Sequence, residues 1–325
     1  MRRIITAILA VLALSLVMAA CGDDEDSGGE SSTTSGDSGG DSKLIEKDPA
    51  NASKKQITIG SKNFAEQYIL GEIYAQSLEA AGYKVDKQLD LGSEQIAFKA
   101  LKKGTIDAYP EYSGTALTSF YKVKTDDVPR DKEESFSQLE EKLKGDDIVA
   151  FTQTPFENTF RIASSKEFAE KVGNPKTVSE LAENAGTKYK ISGFPECRQR
   201  TDCLLGLNQV YDWKPKFVSS QGKFEDLDKN QSDLTFGFST DGEFALNKYA
   251  SYEDDKQLFP PYFVTLLVRK PTADELGPKG REIVESVQEP LNEEVMQELN
   301  SRVTIDKEKP EAVAASYLKE EGFTK

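Results

Sequence analysis

The sequence predicts an α/β protein of two lobes with a ligand cleft between them, and three observations support this architecture. Strand-like segments that end at glycine are followed by helical segments, first at residues 56–60 and 64–78. The same alternation returns after residue 148, so we expect a second α/β lobe. Residues 262–268 are expected to form a strand that leads out of this second region, before a mostly helical end over residues 273–323.

The individual elements follow from local patterns. Strands are predicted where short β-branched and aromatic runs are bounded by turn residues, at residues 56–60, 83–91, 106–109, 148–156, 160–164, 189–192, 234–238 and 262–268. Helices are predicted to begin at residues that can cap a first turn, namely Asn63, Ser93 and Ser113. Glycines are expected to end the first two helices, at Gly82 and Gly104. We assign residues 56–157 and 265–325 to one lobe and residues 158–264 to the other.

Composition narrows the function. The chain has 325 residues, which is enough for two modest hydrophobic cores. Its formal net charge of -15 repels nucleic acid, so we expect no nucleic-acid partner. The chain contains no histidine, which excludes Ser-His-Asp and Cys-His catalysis and nearly all zinc chemistry. Catalysis by carboxylate, lysine or tyrosine side chains stays open.

The N-terminus predicts export and a lipid anchor. Arg2 and Arg3 precede an apolar run over residues 4–20, and a small-residue pair stands before Cys21. This arrangement resembles the bacterial lipobox, so residues 1–20 are predicted to be a signal peptide that is cleaved before a lipidated Cys21. The alternative is an uncleaved transmembrane anchor, because the run is just long enough to span a bilayer.

A polar segment follows this cysteine. Seven acidic residues and no basic residue fall between Gly22 and Ser42, among glycine, serine and threonine. Such a composition buries too little apolar surface to offset chain entropy. We therefore predict that residues 21–55 contain the lipidated cysteine and a disordered acidic tether.

Four stretches place polar or aromatic residues at the ends of predicted strands: 60–68, 106–115, 154–160 and 236–242. In open α/β sheets, ligands bind in the crevice at the carboxyl ends of strands, and helix N-termini there favour carboxylates. For the first stretch an ordinary strand–helix turn is an equally good explanation. Aromatic residues alone belong more often to a core than to a binding site.

These stretches resemble the substrate-binding proteins for glycine betaine, carnitine and choline that serve ABC importers of osmoprotectants. The similar motifs are Gly60-Ser-Lys-Asn-Phe-x-Glu-Gln-Tyr-Ile-Leu-Gly, Asp107-x-Tyr-Pro-Glu-Tyr-Ser-Gly-Thr and Phe259-Pro-Pro-Tyr. The resemblance implies a two-lobed type II periplasmic-binding fold that closes around its ligand, without catalysis or cofactor. It also implies a membrane permease and a cytoplasmic ATPase as partners. We expect a monomer on the extracytoplasmic face of the membrane.

The resemblance also assigns site residues. A trimethylammonium group has no N–H to donate and is attracted to aromatic faces, whereas the carboxylate of a betaine needs donors. Tyr68 and Tyr112 match two tyrosines of the family's aromatic cage, and Phe238 stands where a third is usual. Asn158 and Thr159 match the family's Asn-Thr pair. Further candidates are Ser61, Asn63 and Asp241.

One segment departs from the family pattern. The run over residues 200–206 has Leu204 in the region where relatives supply another cage tyrosine, so that tyrosine is missing. Phe194 or Tyr262 is a candidate to replace it. Glu243 stands where an arginine is usual. Both differences leave the preferred ligand open.

The remaining cysteines, Cys197 and Cys203, are predicted to form a local disulfide, because the environment outside the cytoplasm is oxidising. The disulfide would hold the loop that enters the cleft. Two buried thiols are the alternative. No metal site is expected from two cysteines without histidine.

Three functions are compatible with these residues. The first is a binding protein for quaternary-ammonium solutes or, in a close variant, for another cationic or zwitterionic solute such as an amino acid. The second is an extracellular hydrolase with paired carboxylates such as Glu111 and Asp241, although no nucleophile motif supports it. The third is a surface lipoprotein that binds only a partner protein.

The lipid anchor is tested by mass analysis of protein extracted from membranes of its native host. We expect an N-terminal peptide that begins at Cys21 and carries lipid. Recovery of an intact peptide that begins at Met1 would contradict the lipoprotein prediction.

Overall fold

Two five-stranded sheets organise the protein. The structure is a computed structural model that describes residues 43–220 and 222–325. In chain order the strands are β1 (Ile57–Gly60), β2 (Val85–Gln88), β3 (Ala108–Tyr112), β4 (Ile148–Ala150), β5 (Phe160–Ser165), β6 (Lys190–Gly193), β7 (Lys216–Ser219), β8 (Leu234–Phe238), β9 (Tyr249–Tyr252) and β10 (Val264–Arg269). We call the sheet β2-β1-β3-β10-β4 with its helices the first lobe, and the sheet β7-β6-β8-β5-β9 with its helices the second lobe.

Helices cover both sheets. In chain order they are α1 (Ala65–Ala80), α2 (Glu94–Lys103), α3 (Ser113–Thr115, continued by a wider turn over Ala116–Phe120), α4 (Lys132–Leu143), α5 (Lys166–Lys171), α6 (Val178–Ala185), α7 (Leu204–Val210), α8 (Phe224–Asp228), α9 (Lys270–Gln288), α10 (Glu293–Thr304) and α11 (Pro310–Glu320). No helix of the described part is long and apolar enough to cross a membrane. The predicted signal peptide and Cys21 lie outside the described residues.

Each sheet combines parallel and antiparallel strand pairs, and the parallel pairs are those that the strand–helix–strand spacing predicts. β1 pairs in parallel with β2 and β3, and β6 pairs in parallel with β7 and β8. One strand in each sheet runs the other way: β10 is antiparallel to β3 and β4, and β5 is antiparallel to β8 and β9. The α/β class with two sheets is confirmed.

Two segments, residues 151–159 and 253–263, join the lobes side by side. Glu157 and Phe263 form an isolated antiparallel bridge, and the backbone N–H of Asn158 donates to the carbonyl of Tyr262 at 3.1 Å. We call this pair the crossing. Adjacent extended segments of this kind can act as a hinge between two rigid lobes.

Several local predictions differ from the structure. The helix after β1 begins one residue later than expected, with Phe64 and not Asn63 at its N-cap. The predicted strand over residues 148–156 ends at Ala150, because the chain there enters the crossing. β7 and β9 were not predicted, and β7 presents only half-buried or exposed residues, so it lacks a strong apolar pattern.

The packed part of the chain also begins earlier than the predicted tether allows. Residues 43–55 lie against the first lobe: the N–H of Ile45 donates to the carbonyl of Phe323, and the N–H of Asp48 donates to the carbonyl of Ala81. Asn51 is buried and donates its side-chain amide to the same Ala81 carbonyl at 2.9 Å. These hydrogen bonds give partners to the backbone carbonyls of Ala81, at the end of α1, and of Phe323. They explain why this polar segment is ordered.

Helix α10 connects the lobes in addition to the crossing. It packs on α1 of the first lobe and on the turn Gly242–Leu246 of the second lobe. A Cβ atom added to Gly242 would lie 2.5 Å from the backbone nitrogen of Ser301 and 2.6 Å from its Cα, so the two backbones touch directly. Only glycine allows this approach.

The Gly242→Ala variant tests this contact. Because the new methyl group meets backbone atoms that cannot rotate away, we expect a loss of about 1–3 kcal/mol in the free energy of unfolding. Gly145→Ala is the matched control, since a Cβ there meets nothing within 4 Å. Urea denaturation of both variants measures the difference, and equal stabilities would contradict the close contact.

Candidate binding site

A cavity of about 590 Å³ opens between the two lobes. Its walls come from the start of α1, the end of β3, the crossing, the end of β8 and helix α10. The residues that line it are Lys62–Glu66, Ser93, Glu94, Tyr112, Thr115, Thr118, Ser119, Asn158, Phe160, Phe194, Arg200, Lys223, Phe238, Thr240–Glu243, Tyr262, Asn300 and Thr304. The volume is in the range of pockets that enclose small organic ligands.

Aromatic rings face the cavity from both lobes. On the first lobe, the rings of Phe64 and Tyr112 are nearly parallel with centroids 6.1 Å apart; we call them the first aromatic wall. The second aromatic wall is centred on Phe160, whose ring centroid lies 5.0–6.4 Å from the others. Its members are Phe160, Phe194, Phe238 and Tyr262.

A buried ion pair supports the first aromatic wall. The Lys62 ammonium pairs with the Glu111 carboxylate, and both side chains are almost fully buried. Glu111 also accepts from the hydroxyl of Tyr109 at 2.9 Å and from the backbone N–H of Tyr112 at 2.8 Å. The Lys62 nitrogen lies 4.3 Å from the centroid of the Tyr112 ring, a cation–π distance.

A second buried carboxylate, Glu66, has only neutral partners. One oxygen accepts from the hydroxyl of Tyr112 at 2.7 Å and from the side-chain amide of Asn158 at 2.9 Å. The other oxygen accepts from the amide of Asn300 at 3.0 Å. Burial raises the pKa of Tyr112 well above its usual value, and the nearby Glu66 carboxylate adds to this effect. Glu66 therefore links α1, β3, the crossing and α10 around one carboxylate.

A second ion pair, between Arg200 and Asp202, lies beside the second aromatic wall. Arg200 forms two hydrogen bonds with Asp202. Hydrogen bonding to Asp202 is the main cause of the raised pKa of Arg200. The Tyr262 hydroxyl donates to the same carboxylate at 3.1 Å. The Arg200 guanidinium lies 5.6 Å from the ring centroids of both Phe160 and Phe194.

Lys223 and Asp241 form the third pair beside the cavity. The ammonium of Lys223 contacts both Asp241 oxygens, at 2.9 and 3.2 Å, and lies 4.6 Å from the Phe238 ring centroid. Asp241 also accepts from the N–H of Phe238 at 2.8 Å, which fixes the end of β8. Burial raises the pKa of the neighbouring Glu243, and the like charge of Asp241 raises it further.

A disulfide closes the loop that carries Arg200. It joins Cys197 and Cys203, both fully buried in the second-lobe core. Leu204 also lies in this core and does not line the cavity. Phe194 and Tyr262, the two candidates to replace the missing cage tyrosine, both do.

The structure brings together most of the predicted site residues. Those that line the cavity are Asn63, Tyr112, Asn158, Phe194, Phe238 and Asp241. Three others lie outside its lining. Tyr68 is half-buried with its hydroxyl on Asp90 at 3.0 Å, and burial together with this bond raises its pKa to about 12. Ser61 donates to the Lys62 carbonyl, and Thr159 lines a second cavity of about 500 Å³ with Arg130 and Phe263.

Sequence reasoning missed several cavity residues. They are Lys62, Phe64, Glu66, Phe160, Arg200 and Asn300. The first three lie inside the quoted family motif and could have been singled out. Asn300 lies in the middle of a C-terminal helix, where no local signal separates it from an ordinary polar position. No group of three or more acidic or cysteine side chains in the described part of the chain could hold a metal ion.

Two α/β lobes around a cavity with aromatic and charged walls define a binding protein for small molecules. Residues 55–320 match the model of the substrate-binding domain of ABC-type glycine betaine transport systems. The chain belongs to this family, and it is a substrate-binding protein of an ABC transport system.

Individual relatives agree with this assignment. The chain is 30% identical to a glycine-betaine-binding protein of Pseudomonas aeruginosa over 83% of this chain and 89% of that protein. It is 27% identical to the ergothioneine transport permease and binding protein EgtU of Helicobacter pylori, over 85% of this chain but 49% of that longer protein. The solved structure of ligand-free YehZ from Escherichia coli superimposes with a TM-score of 0.72 at 25% identity, over 83% of this chain and all of that one.

Proposed function

We propose that this protein captures small quaternary-ammonium solutes, such as glycine betaine, choline or carnitine, between its lobes and delivers them to a permease. The observation that carries the proposal is the pair of aromatic walls, because they face one cavity from both lobes. A quaternary ammonium group cannot donate a hydrogen bond, so aromatic ring faces are the protein groups suited to hold it. The names of the relatives support the same ligand class.

The ligand would be held from both sides when the lobes close. Tyr112 would contribute from the first lobe and Phe238 and Phe194 from the second. Asn158 of the crossing and Asn63 at the start of α1 offer amide groups for the polar end of the ligand. The lobe assignment of residues 56–157 with 265–325, and 158–264, is part of this proposal, since closure requires two units that rotate about the crossing.

The setting of the protein follows from the same proposal. The family consists of transport binding proteins, and the N-terminal sequence supports export, removal of residues 1–20 and a lipid on Cys21. A lipid-anchored monomer would then remain near its permease and ATPase.

A larger betaine is the second candidate ligand. The cavity volume of about 590 Å³ exceeds what a compact betaine fills, and the relative from Helicobacter pylori is named for ergothioneine. A betaine with an additional polar ring could use more of the hydroxyl and amide groups on the walls.

Calorimetric titration of the purified protein tests the ligand class. The panel is glycine betaine, choline, carnitine, proline betaine, ergothioneine and unmethylated glycine. We expect saturable one-to-one binding by at least one methylated compound and none by glycine, because only a methylated nitrogen requires aromatic faces. No binding across the panel by demonstrably folded protein would contradict the proposal.

The Tyr112→Ala variant tests the first aromatic wall. Loss of one ring face should weaken binding of a trimethylammonium ligand by about 1–2 kcal/mol. Tyr68→Ala is the comparison, since the Tyr68 side chain lies outside the cavity lining and should leave the dissociation constant unchanged. If Tyr68→Ala weakens binding and Tyr112→Ala does not, the ligand lies elsewhere.

A further inference from the structure

The cationic side chains on the cavity wall are already neutralised by the protein. The pairs are Lys62–Glu111, Arg200–Asp202 and Lys223–Asp241. Each cation also lies over an aromatic ring. In this part of the cavity, a ligand carboxylate would therefore compete with a carboxylate that is already in place.

The cavity wall also carries acidic side chains that have no cationic partner. Glu66, Glu94 and Glu243 line the cavity, and none of them forms an ion pair with any residue in the ranges 43–220 and 222–325. The hydrogen-bond partners of Glu66 are a hydroxyl and two amides, none of which carries a positive charge. The neighbouring carboxylates Asp241 and Asp228 pair with Lys223 and Lys248, so Glu243 is left without a lysine or arginine partner among the described residues.

A buried acceptor on the wall also lacks a donor. Asn300 is 5% exposed, and its amide donates to Glu66 and to the carbonyl of Thr240. Its carbonyl oxygen Oδ1 accepts no hydrogen bond from the described residues. A buried acceptor without a donor is costly, so a ligand hydroxyl at this position would be favoured.

We propose that the preferred ligand is a quaternary-ammonium alcohol of the choline type, a net cation with one O–H donor, and that Glu243 selects for it. This inference rests on the proposed function and deepens it. Glycine betaine has the same trimethylammonium group, but it adds a negative charge and has no hydrogen to donate. The surplus carboxylates repel its carboxylate, and Oδ1 of Asn300 stays without a donor.

Three matched ligands test separately the selection against a ligand carboxylate and the recognition of a ligand hydroxyl. They are choline, glycine betaine and O-methylcholine, which keeps the cation but has no O–H. By calorimetry of the purified protein we expect choline to bind about tenfold more tightly than glycine betaine, since one repulsive charge contact costs on the order of 1 kcal/mol in a solvated site. O-methylcholine should bind about three- to tenfold more weakly than choline, because it loses one hydrogen bond.

A charge variant tests the role of Glu243. Glu243→Gln removes one carboxylate while keeping the shape of the side chain. The ratio of the dissociation constants of glycine betaine and choline should therefore fall about threefold or more. Glu170→Gln is the control, because Glu170 is an exposed residue of α5 outside the cavity lining, and the preference should not change.

Each contrary result has a distinct meaning. Glycine betaine binding as tightly as choline would overturn the inference while leaving the proposed function intact. Equal dissociation constants for O-methylcholine and choline would show that the ligand hydroxyl does not donate to Asn300. Binding of none of the three by folded protein would overturn the proposed function itself.

Discussion

The buried pair of Lys62 and Glu111 joins the ends of β1 and β3, and the first side of the site depends on it. Removal of two charges from water costs several kcal/mol for each ion, which is offset only when geometry and additional hydrogen bonds are good. Here Glu111 also accepts from Tyr109 and from the N–H of Tyr112. The pair therefore holds the backbone that carries Tyr112, and it places the Lys62 ammonium over the Tyr112 ring.

The same principle recurs on the second lobe. Asp202 and Asp241 each fix a cation beside an aromatic ring, and Asp202 also orients the hydroxyl of Tyr262. Since these cations are matched within the protein, the unmatched carboxylates determine the charge that a ligand encounters. Glu66 has a special position among them, because its donors come from the first lobe, the crossing and α10. Glu66 thus joins these three parts of the structure at the cavity wall.

The sequence predicted the architecture well, because strand and helix patterns in α/β lobes are local and strong. The four stretches at predicted strand ends could be singled out for the same reason, since polar residues at strand ends are visible in the chain, and each stretch contributes residues to the cavity wall. It could not predict that Asn300 reaches the cavity, since this depends on the direct approach of α10 to Gly242, a contact between distant segments. It also could not separate Tyr68 from Tyr112, because one residue on α1 and one at the end of β3 differ only in where the packed lobe directs their side chains.

The central claim is that a methylated nitrogen is held between the two aromatic walls. A crystal structure of the protein with a bound trimethylammonium ligand tests it most directly. The account predicts the nitrogen within about 6 Å of ring centroids from both walls, including Tyr112 and at least one of Phe160, Phe194 and Phe238. A ligand bound in the second cavity beside Thr159, or a nitrogen held only by polar side chains, would contradict it.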